Sequence, residues 1–502
     1  MQPRRVAVLG GGPGGLYAAR LLKLANPACE VRVHEQGGAD TTFGFGVGLA
    51  AGTQRRLAAA DPDTLRELVA TGLRHDSTMQ VGGRVARVRN DRLIGIARTD
   101  LLAVLQRHAE KAGVELGFGV RRSAAELDAD VVIAADGVSS ATRASGGFGG
   151  RIETGRGLYL WCGTDFPLDD AVFAPVETEH GVFVTHAYPY SGGRSTFLVE
   201  TDERTWRRAG FDATTAATGP EDSDQTSLRY LEQVFAGQLR GRPLIGNRTR
   251  WLRFRTVRCD RWSQGNTVLL GDAAHTAHFS VGSGTKLAME DAIALVDALR
   301  EAPDAGTAFD RYEAARRPWV ERLQELARRS QLWWESFPSR LGLPVERLMV
   351  AYMSRAGNVP LDRFARTSPD VVGAALRQYG DDGPGTDDLV DRIIGTPLVH
   401  GARSFPDRTA VPALPRLHAD LHDPWSPEGD ALVARARGTD GVLITGPDDR
   451  PALLTRLDLA ERVRCETGVL TAVQGTAGLR DDLAAGLISG RTDLVALTEE
   501  SA

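Results

Sequence analysis

The apolar run Val6-Ala7-Val8-Leu9 enters Gly10-Gly11-Gly12-Pro13-Gly14-Gly15, and no other stretch of the 502 residues narrows the possible folds so far. A strand that meets this many glycines must turn sharply. Leu16, Ala19, Leu22 and Leu24 then mark a helix, and Val31-Arg32-Val33-His34-Glu35 alternates as a second strand, which completes a strand–helix–strand unit. The spacing Gly10-x-Gly12-x-x-Gly15 lets the chain turn, lets an anion approach the backbone and lets the helix pack on the sheet. The helix N-terminus, with Gly14 in its first turn, supplies N–H groups for a pyrophosphate. Glu35, 20 residues beyond Gly15, is spaced to accept hydrogen bonds from a ribose diol. The pattern is that of a dinucleotide site and does not separate NAD from FAD.

Composition narrows the class further. With 42% hydrophobic and 25% charged residues, the chain is of ordinary globular type and long enough for about three folding units. The net charge of −5, with basic residues scattered, excludes a nucleic-acid partner. Lys23, Lys111 and Lys286 are the only lysines, an arginine bias that carries no mechanism. The four cysteines, at 29, 162, 259 and 465, form no CxxC, which fits a reducing compartment. No apolar run approaches the roughly 18 residues of a membrane span and no secretory core opens the chain, so a cytoplasmic protein without a membrane partner is expected.

Further along, residues 98–111 read as an amphipathic helix capped by Thr99 or Asp100. Val131-Val132-Ile133-Ala134-Ala135-Asp136-Gly137 reads as a buried parallel strand ending in an acid and a glycine. From about 156 to 258 the pattern becomes that of a mostly antiparallel sheet. Thr267-Val268-Leu269-Leu270-Gly271-Asp272 is a second buried strand, followed by a loop to Gly284 and a helix. Trp319, Leu323, Leu326, Trp333 and Trp334 mark a later helix as core.

The order GxGxxG, Ala-Ala-Asp-Gly, Leu-Leu-Gly-Asp-Ala-Ala-His resembles the single-component FAD-dependent aromatic monooxygenases. The resemblance implies an α/β and α+β fold: a Rossmann-like FAD domain from 1–72, 96–155 and 259–300, and a substrate-binding sheet domain from 73–95 and 156–258. A helical region would follow over 301–395. It also implies one tightly bound FAD, NAD(P)H as a transient co-substrate, and O2 activated as a flavin C4a-hydroperoxide. Arg98 matches the arginine that contacts the FAD diphosphate or adenosine end, and Asp272 the aspartate that accepts from the ribityl chain. Gly46 and Val47, in the glycine-rich stretch from Thr42 through Phe43 to Leu49, match the segment beside the flavin ring. Gly282, Gly284, Thr285 and Lys286 match the loop and helix start at its pyrimidine edge, where small residues allow close approach. The version His278-Phe279-Ser280-x-Gly282-Ser283-Gly284-Thr285-Lys286 is similar to the subgroup acting on aromatic acyl-CoA thioesters, the salicylyl-CoA 5-hydroxylases and anthraniloyl-CoA monooxygenases. An aromatic substrate carried as a CoA thioester is therefore expected.

His278 lines the pocket or simply packs, on equal terms. The same holds for His186 and Tyr188, which by resemblance face the substrate. His275 and His278 lack the carboxylates or cysteines of a metal site, so no metal is expected. Residues 396–502 resemble the last strands of an old-yellow-enzyme barrel, with Gly490-Arg491 at its phosphate end. About 107 residues cannot build a whole TIM barrel, so a truncated remnant without FMN is expected, in which that pair packs or contributes to a homodimer. Two other readings stay open: a flavin reductase of the geranylgeranyl type, and a non-catalytic FAD-binding partner module.

Overall fold

The computed structural model describes residues 3–40, 42, 44–90, 93–282, 284–380 and 388–498. Phe43 and Ser283, named above, lie outside them. The chain divides into two compact units, Met1–Ser77 with Asn90–Glu335, and Thr78–Arg89 with Ser336–Ala502.

The core of the first unit is a parallel sheet in which Arg5–Leu9 lies between Glu30–His34 and Val131–Ala134, and Thr267–Leu269 pairs beyond the latter. Val131–Ala134 is buried at every position, as a central parallel strand covered on both faces must be. The order places the first strand where connections leave in opposite directions, and ligands bind such sheets in the crevice at the strands' carboxyl ends. Three glycines close the turn there for separate reasons. A methyl on Gly10 would sit 2.2 Å from the Ala135 carbonyl oxygen, and one on Gly15 2.1 Å from that of Gly10. Gly12 is different, because nothing lies within 4 Å of its missing Cβ.

The helix after residue 97 spans Arg98–Lys111 and begins earlier than the predicted cap allows. Ala97 holds the N-cap position without a side-chain bond, and Asp100 falls in the first turn, where its charge favours the helix dipole.

The second sheet of this unit orders Leu244–Ile245, Leu158–Thr164, Arg194–Thr201, Gly181–Ser191 and Ala171–Thr178, all antiparallel. One face buries Leu160, Cys162, Phe183, Phe197 and Val199 against the helices Phe211–Ala217 and Gln225–Val234. Those helices were not expected from the strand-like pattern of 156–258. The long helix Ala305–Glu335 runs through Pro318 and buries Trp333 and Trp334. Trp319 corrects the predicted core: it is 57% exposed, with the Arg56 guanidinium 5.8 Å above its ring.

The second unit contains helices and a parallel sheet of Arg416–His418, Gly441–Thr445, Leu470–Thr476 and Leu494–Thr498 in sequential order. Sequential parallel strands joined by helices are the connectivity of a (β/α) barrel. One sheet face, carrying Leu443, Ala472 and Leu494, is covered by Leu398, Phe405, Ala410, Val411 and Leu414 from the preceding segment. Gly490-Arg491 lies before the last strand, at its amino end, and Arg491 is buried with Nη1 3.5 Å from Asp458. In that barrel ligand sites form at the opposite, carboxyl end, so this pair packs and does not mark a phosphate end.

Candidate active site

The crevice is assembled by four segments of the first unit. At the glycine turn, Glu35 accepts from the Gly11 and Gly37 N–H groups, both at 2.7 Å, which fixes its carboxylate beside the helix N-terminus. Gly14 is buried there, its missing Cβ position 2.5 Å from Leu270. From the other side, Gly46–Leu49 pairs antiparallel with Ile94–Ala97, which sets Val47 opposite Ile96 and delivers Arg98 at the strand end. The Arg98 N–H donates to the Phe45 carbonyl at 2.7 Å, and its Nε is buried without a hydrogen bond. Burial lowers its pKa, and the negative charge of Asp272 opposes the shift.

Asp272 follows the strand Thr267–Leu269 in a short 3-10 turn. Burial raises its carboxyl pKa, with Arg98 and His275 opposing. Among the described residues no group donates a hydrogen bond to that carboxylate. Arg143, which the sequence did not single out, holds the turn by donating to the carbonyls of Ala273 at 2.8 Å and Val138 at 2.6 Å. Beneath it Asp291 accepts from His275 Nε2 and Arg316 Nε, both at 2.8 Å, and from the Gly271 N–H at 3.2 Å.

The last segment is the loop before the helix Gly284–Glu301. Gly282 has φ 63°, and open space surrounds the missing Cβ positions of Gly282 and Gly284. Thr285 and Lys286 stand in the first turn, half-buried. The open sides of Gly12, Gly282 and Gly284, the unpaired Arg98 Nε and the free Asp272 carboxylate together fit a dinucleotide with a ring at one end. They are the residues that would hold FAD.

Tyr188 and His186 stand on the strand Gly181–Ser191 but do different things. Tyr188 Oη donates to the Gly46 carbonyl at 2.7 Å, tying the antiparallel sheet to the glycine-rich strand, and burial pushes its phenol up to about 12. His186 Nε2 lies 3.2 Å from Glu200 Oε1 on the neighbouring strand, and both are buried. Its ring packs 4.0 Å from Trp334 and 5.3 Å from Phe173, between centroids. His278 is buried, with Nδ1 2.8 Å from Ser280 Oγ and its ring 4.9 Å from Phe254. His275 and His278 thus turn to different partners.

His186 and His278 belong to one aromatic cluster. Phe279 is 5.0 Å from Tyr159, 6.0 Å from Trp161 and 5.9 Å from Phe254, and 6.4 Å from His186. The Trp161 Nε1–H is buried without an acceptor. Sequence reading missed Tyr159, Trp161, Phe173, Phe254 and Glu200 here, and took Trp334 for plain core.

A family model described as an FAD binding domain matches residues 4–327, well over half of the chain. The chain is a member of the FAD-dependent aromatic monooxygenases. It is 38% identical to a salicyloyl-CoA 5-hydroxylase of a Streptomyces species, over 99% of this chain and all of the relative. It is also 38% identical to a 3-hydroxy-4-methyl-anthranilyl-[aryl-carrier protein] 5-monooxygenase of Streptosporangium sibiricum, over 71% of this chain and 95% of that one. In fold it is similar to 2-methyl-3-hydroxypyridine-5-carboxylic acid oxygenase, with a TM-score of 0.55 and 20% identity over 70% of this chain and 96% of that one. The protein is thus a flavoprotein monooxygenase that binds FAD, on the fold expected from its motifs. Among the described residues, no helix is long and apolar enough to cross a membrane.

Proposed function

We propose that this monooxygenase hydroxylates or epoxidises an aromatic ring carried as an acyl-CoA thioester. One NAD(P)H and one O2 are consumed per turnover; one oxygen atom enters the ring and the other leaves as water. The observation that carries this reading is the end-to-end similarity to the salicyloyl-CoA 5-hydroxylase, which extends through the second unit. The carrier-protein-dependent relative matches only 71% of the chain, yet its name also describes a ring attached through a carrier. That favours, as second reading, the same chemistry on a carrier-protein thioester.

Bound FAD would supply the redox and oxygen-activating chemistry, with NAD(P)H as the reductant. The chain's own tasks are to bind, orient and shield. Gly10, Gly12, Gly14, Gly15 and Glu35, with Arg98, would hold the adenosine and diphosphate end of FAD. Asp272 would hold the ribityl chain, and Gly46, Val47, Gly282, Gly284, Thr285 and Lys286 would line the ring. Tyr159, Trp161, Phe254 and Phe279 form an apolar wall that keeps water from the reacting oxygen and packs on the substrate ring. His186, paired with Glu200, takes the proton from a ring hydroxyl or amine as oxygen is transferred, and His278 orients that substituent. Tyr188 stays protonated and acts through its bond to Gly46. The second unit binds no second flavin, so one FAD per chain is expected.

The deciding experiment offers salicyloyl-CoA, anthraniloyl-CoA, a carrier-protein thioester and the free acids to FAD-loaded protein in air. NAD(P)H oxidation is followed and products are read by mass. A product heavier by one oxygen from the CoA thioesters alone supports the proposal. Free-acid products of the same efficiency would refute it, and turnover restricted to the carrier protein would establish the second reading. A reduced double bond without added oxygen would indicate a reductase instead.

A further inference from the structure

The second unit contains a group of arginines for which the monooxygenase chemistry has no use. Arg408 is buried, and its Cζ lies 4.5 Å from the centre of the Tyr379 ring; the Arg347 Cζ lies 5.3 Å from the same ring. Arg347 also reaches Gly490, where it meets Arg464. A methyl placed on Gly490 would be 3.5 Å from Arg464 Nη2 and 3.6 Å from Arg347 Nη2. Three guanidinium groups therefore converge around one phenol and one glycine.

Their hydrogen bonds go to main-chain carbonyls at the end of the helix Arg480–Ile488 and just past it. Arg347 Nε donates to Ile488 at 2.9 Å, Arg464 Nη2 to Gly490 at 2.5 Å, and Arg408 Nη1 to Asp493 at 3.3 Å. Among the described residues no carboxylate lies within ion-pair distance of any of the three. The nearby acids are engaged elsewhere: the Asp493 carboxylate accepts from Thr471 N and Oγ1, and Asp458 faces Arg491. A helix C-terminus offers about half a negative charge, and the charge of Asp493 acts on Arg408, so more than one positive charge stays uncompensated. Burial depresses the pKa of Arg347, and the neighbouring charges of Arg464 and Arg408 depress it further. The Nε atoms of Arg408 and Arg464 are buried without hydrogen bonds, and the buried Tyr379 hydroxyl faces Arg408.

We infer that Arg347, Arg408 and Arg464, with the Tyr379 hydroxyl, form a binding site for a phosphate dianion. Negative charge offsets what the helix end and Asp493 leave over, and tetrahedral oxygens suit several guanidinium forks together with one hydroxyl donor. The site does not depend on the proposed thioester substrate, since the phosphate can be free inorganic phosphate or the monoester of a nucleotide cofactor.

The test uses the full-length, FAD-loaded protein, with inorganic phosphate as probe and chloride at equal ionic strength as control. Phosphate is expected to raise the melting temperature saturably, and calorimetry should give an affinity at least tenfold weaker in Arg347→Gln and Arg464→Gln. Arg464→Lys, which keeps the charge, should retain part of it. In phosphate-free buffer the two glutamine variants should melt no lower than the parent protein, because each removes one member of a self-repelling cluster. If phosphate and chloride act alike, or if the variants lose stability without losing phosphate affinity, the arginines serve only to cap the helix and the inference fails. CoA against dephospho-CoA, and NADPH against NADH, then identify the source, each read as the difference between parent and Arg464→Gln. A tenfold preference for one monoester names that cofactor, whereas no preference leaves inorganic phosphate as the ligand.

Discussion

Replacing Gly12 and Gly15 by alanine separates the two tasks of the glycine turn. At Gly15 the added methyl would meet the Gly10 carbonyl oxygen at 2.1 Å. Backbone cannot step aside as a flexible side chain can, so Gly15→Ala should cost about 1–3 kcal/mol of stability in the apoprotein, the usual range for overpacking. At Gly12, with φ −74° and ψ 175°, the backbone suits any residue, and nothing lies within 4 Å of the new methyl. Gly12→Ala should therefore leave the apoprotein unchanged or stabilise it by about 0.4–1 kcal/mol through the less flexible unfolded chain. The same methyl would occupy the space through which a diphosphate approaches the helix N-terminus. Losing one hydrogen bond to a charged group costs about 1.5–3 kcal/mol, roughly a 10- to 150-fold loss of FAD affinity. Quenching of flavin fluorescence on titrating apoprotein gives the affinity, and urea unfolding of the same apoproteins gives the stability. Loss of apoprotein stability in Gly12→Ala equal to that in Gly15→Ala, with FAD affinity intact, would refute the reasoning.

Asp291→Ala should lower stability by about 3 kcal/mol, the low end for breaking a buried pair, because it leaves the buried Arg316 guanidinium with only its 3.5 Å contact to Glu290; urea midpoints of the holoenzyme read this. Although burial alone would raise it, the Asp291 carboxyl is held below the usual range by His275 and Arg316. Its contribution is present above the unfolded value near 4 and fades as pH falls through the lower folded value. His75 shows the basic counterpart, since burial lowers its pKa and keeps the ring neutral. Stability should fall as pH drops below about 6.5 toward that lower folded value, and His75→Asn should flatten this part of the urea-midpoint profile between pH 7 and 5.5. Glu200→Gln should lower kcat with little change in KM and shift the acidic limb of the kcat–pH profile, whereas a purely structural role would leave the profile in place.

The parts of the site legible in sequence are those fixed by neighbours in the chain. Gly10 and Gly15 announce the turn because local backbone packing requires them, Gly12 completes the spacing by leaving its side open, and Asp272 ends a strand whose burial shows as an unbroken apolar run. The aromatic cluster was hidden, since Tyr159 and Trp161 on one strand, Phe254, Phe279 and Trp334 come from four segments that only tertiary packing unites. Trp334 and Trp319 share a helix, and an apolar pattern could not reveal that one packs on His186 while the other lies under an exposed arginine. Glu200 was equally silent, because an acid on an alternating strand reads as a solvent-facing position until its neighbour across the sheet is known. The helices Phe211–Ala217 and Gln225–Val234 were missed for a related reason: their residues follow strand-rich sequence, and their apolar faces match only the sheet they cover.

The segment that lies across Leu443, Ala472 and Leu494 has a bearing on how such a chain could arise. Four consecutive parallel strands present an apolar inner surface that, in a complete barrel, the remaining strands would enclose. Here Leu398, Phe405 and Leu414 fill that role as a plug, drawn from the residues just before the first strand of the sheet. A barrel cut in half would be sticky and short-lived unless something closed the wound. A chain with its own stopper can keep such a sheet as a finished module without the strands that would otherwise enclose it.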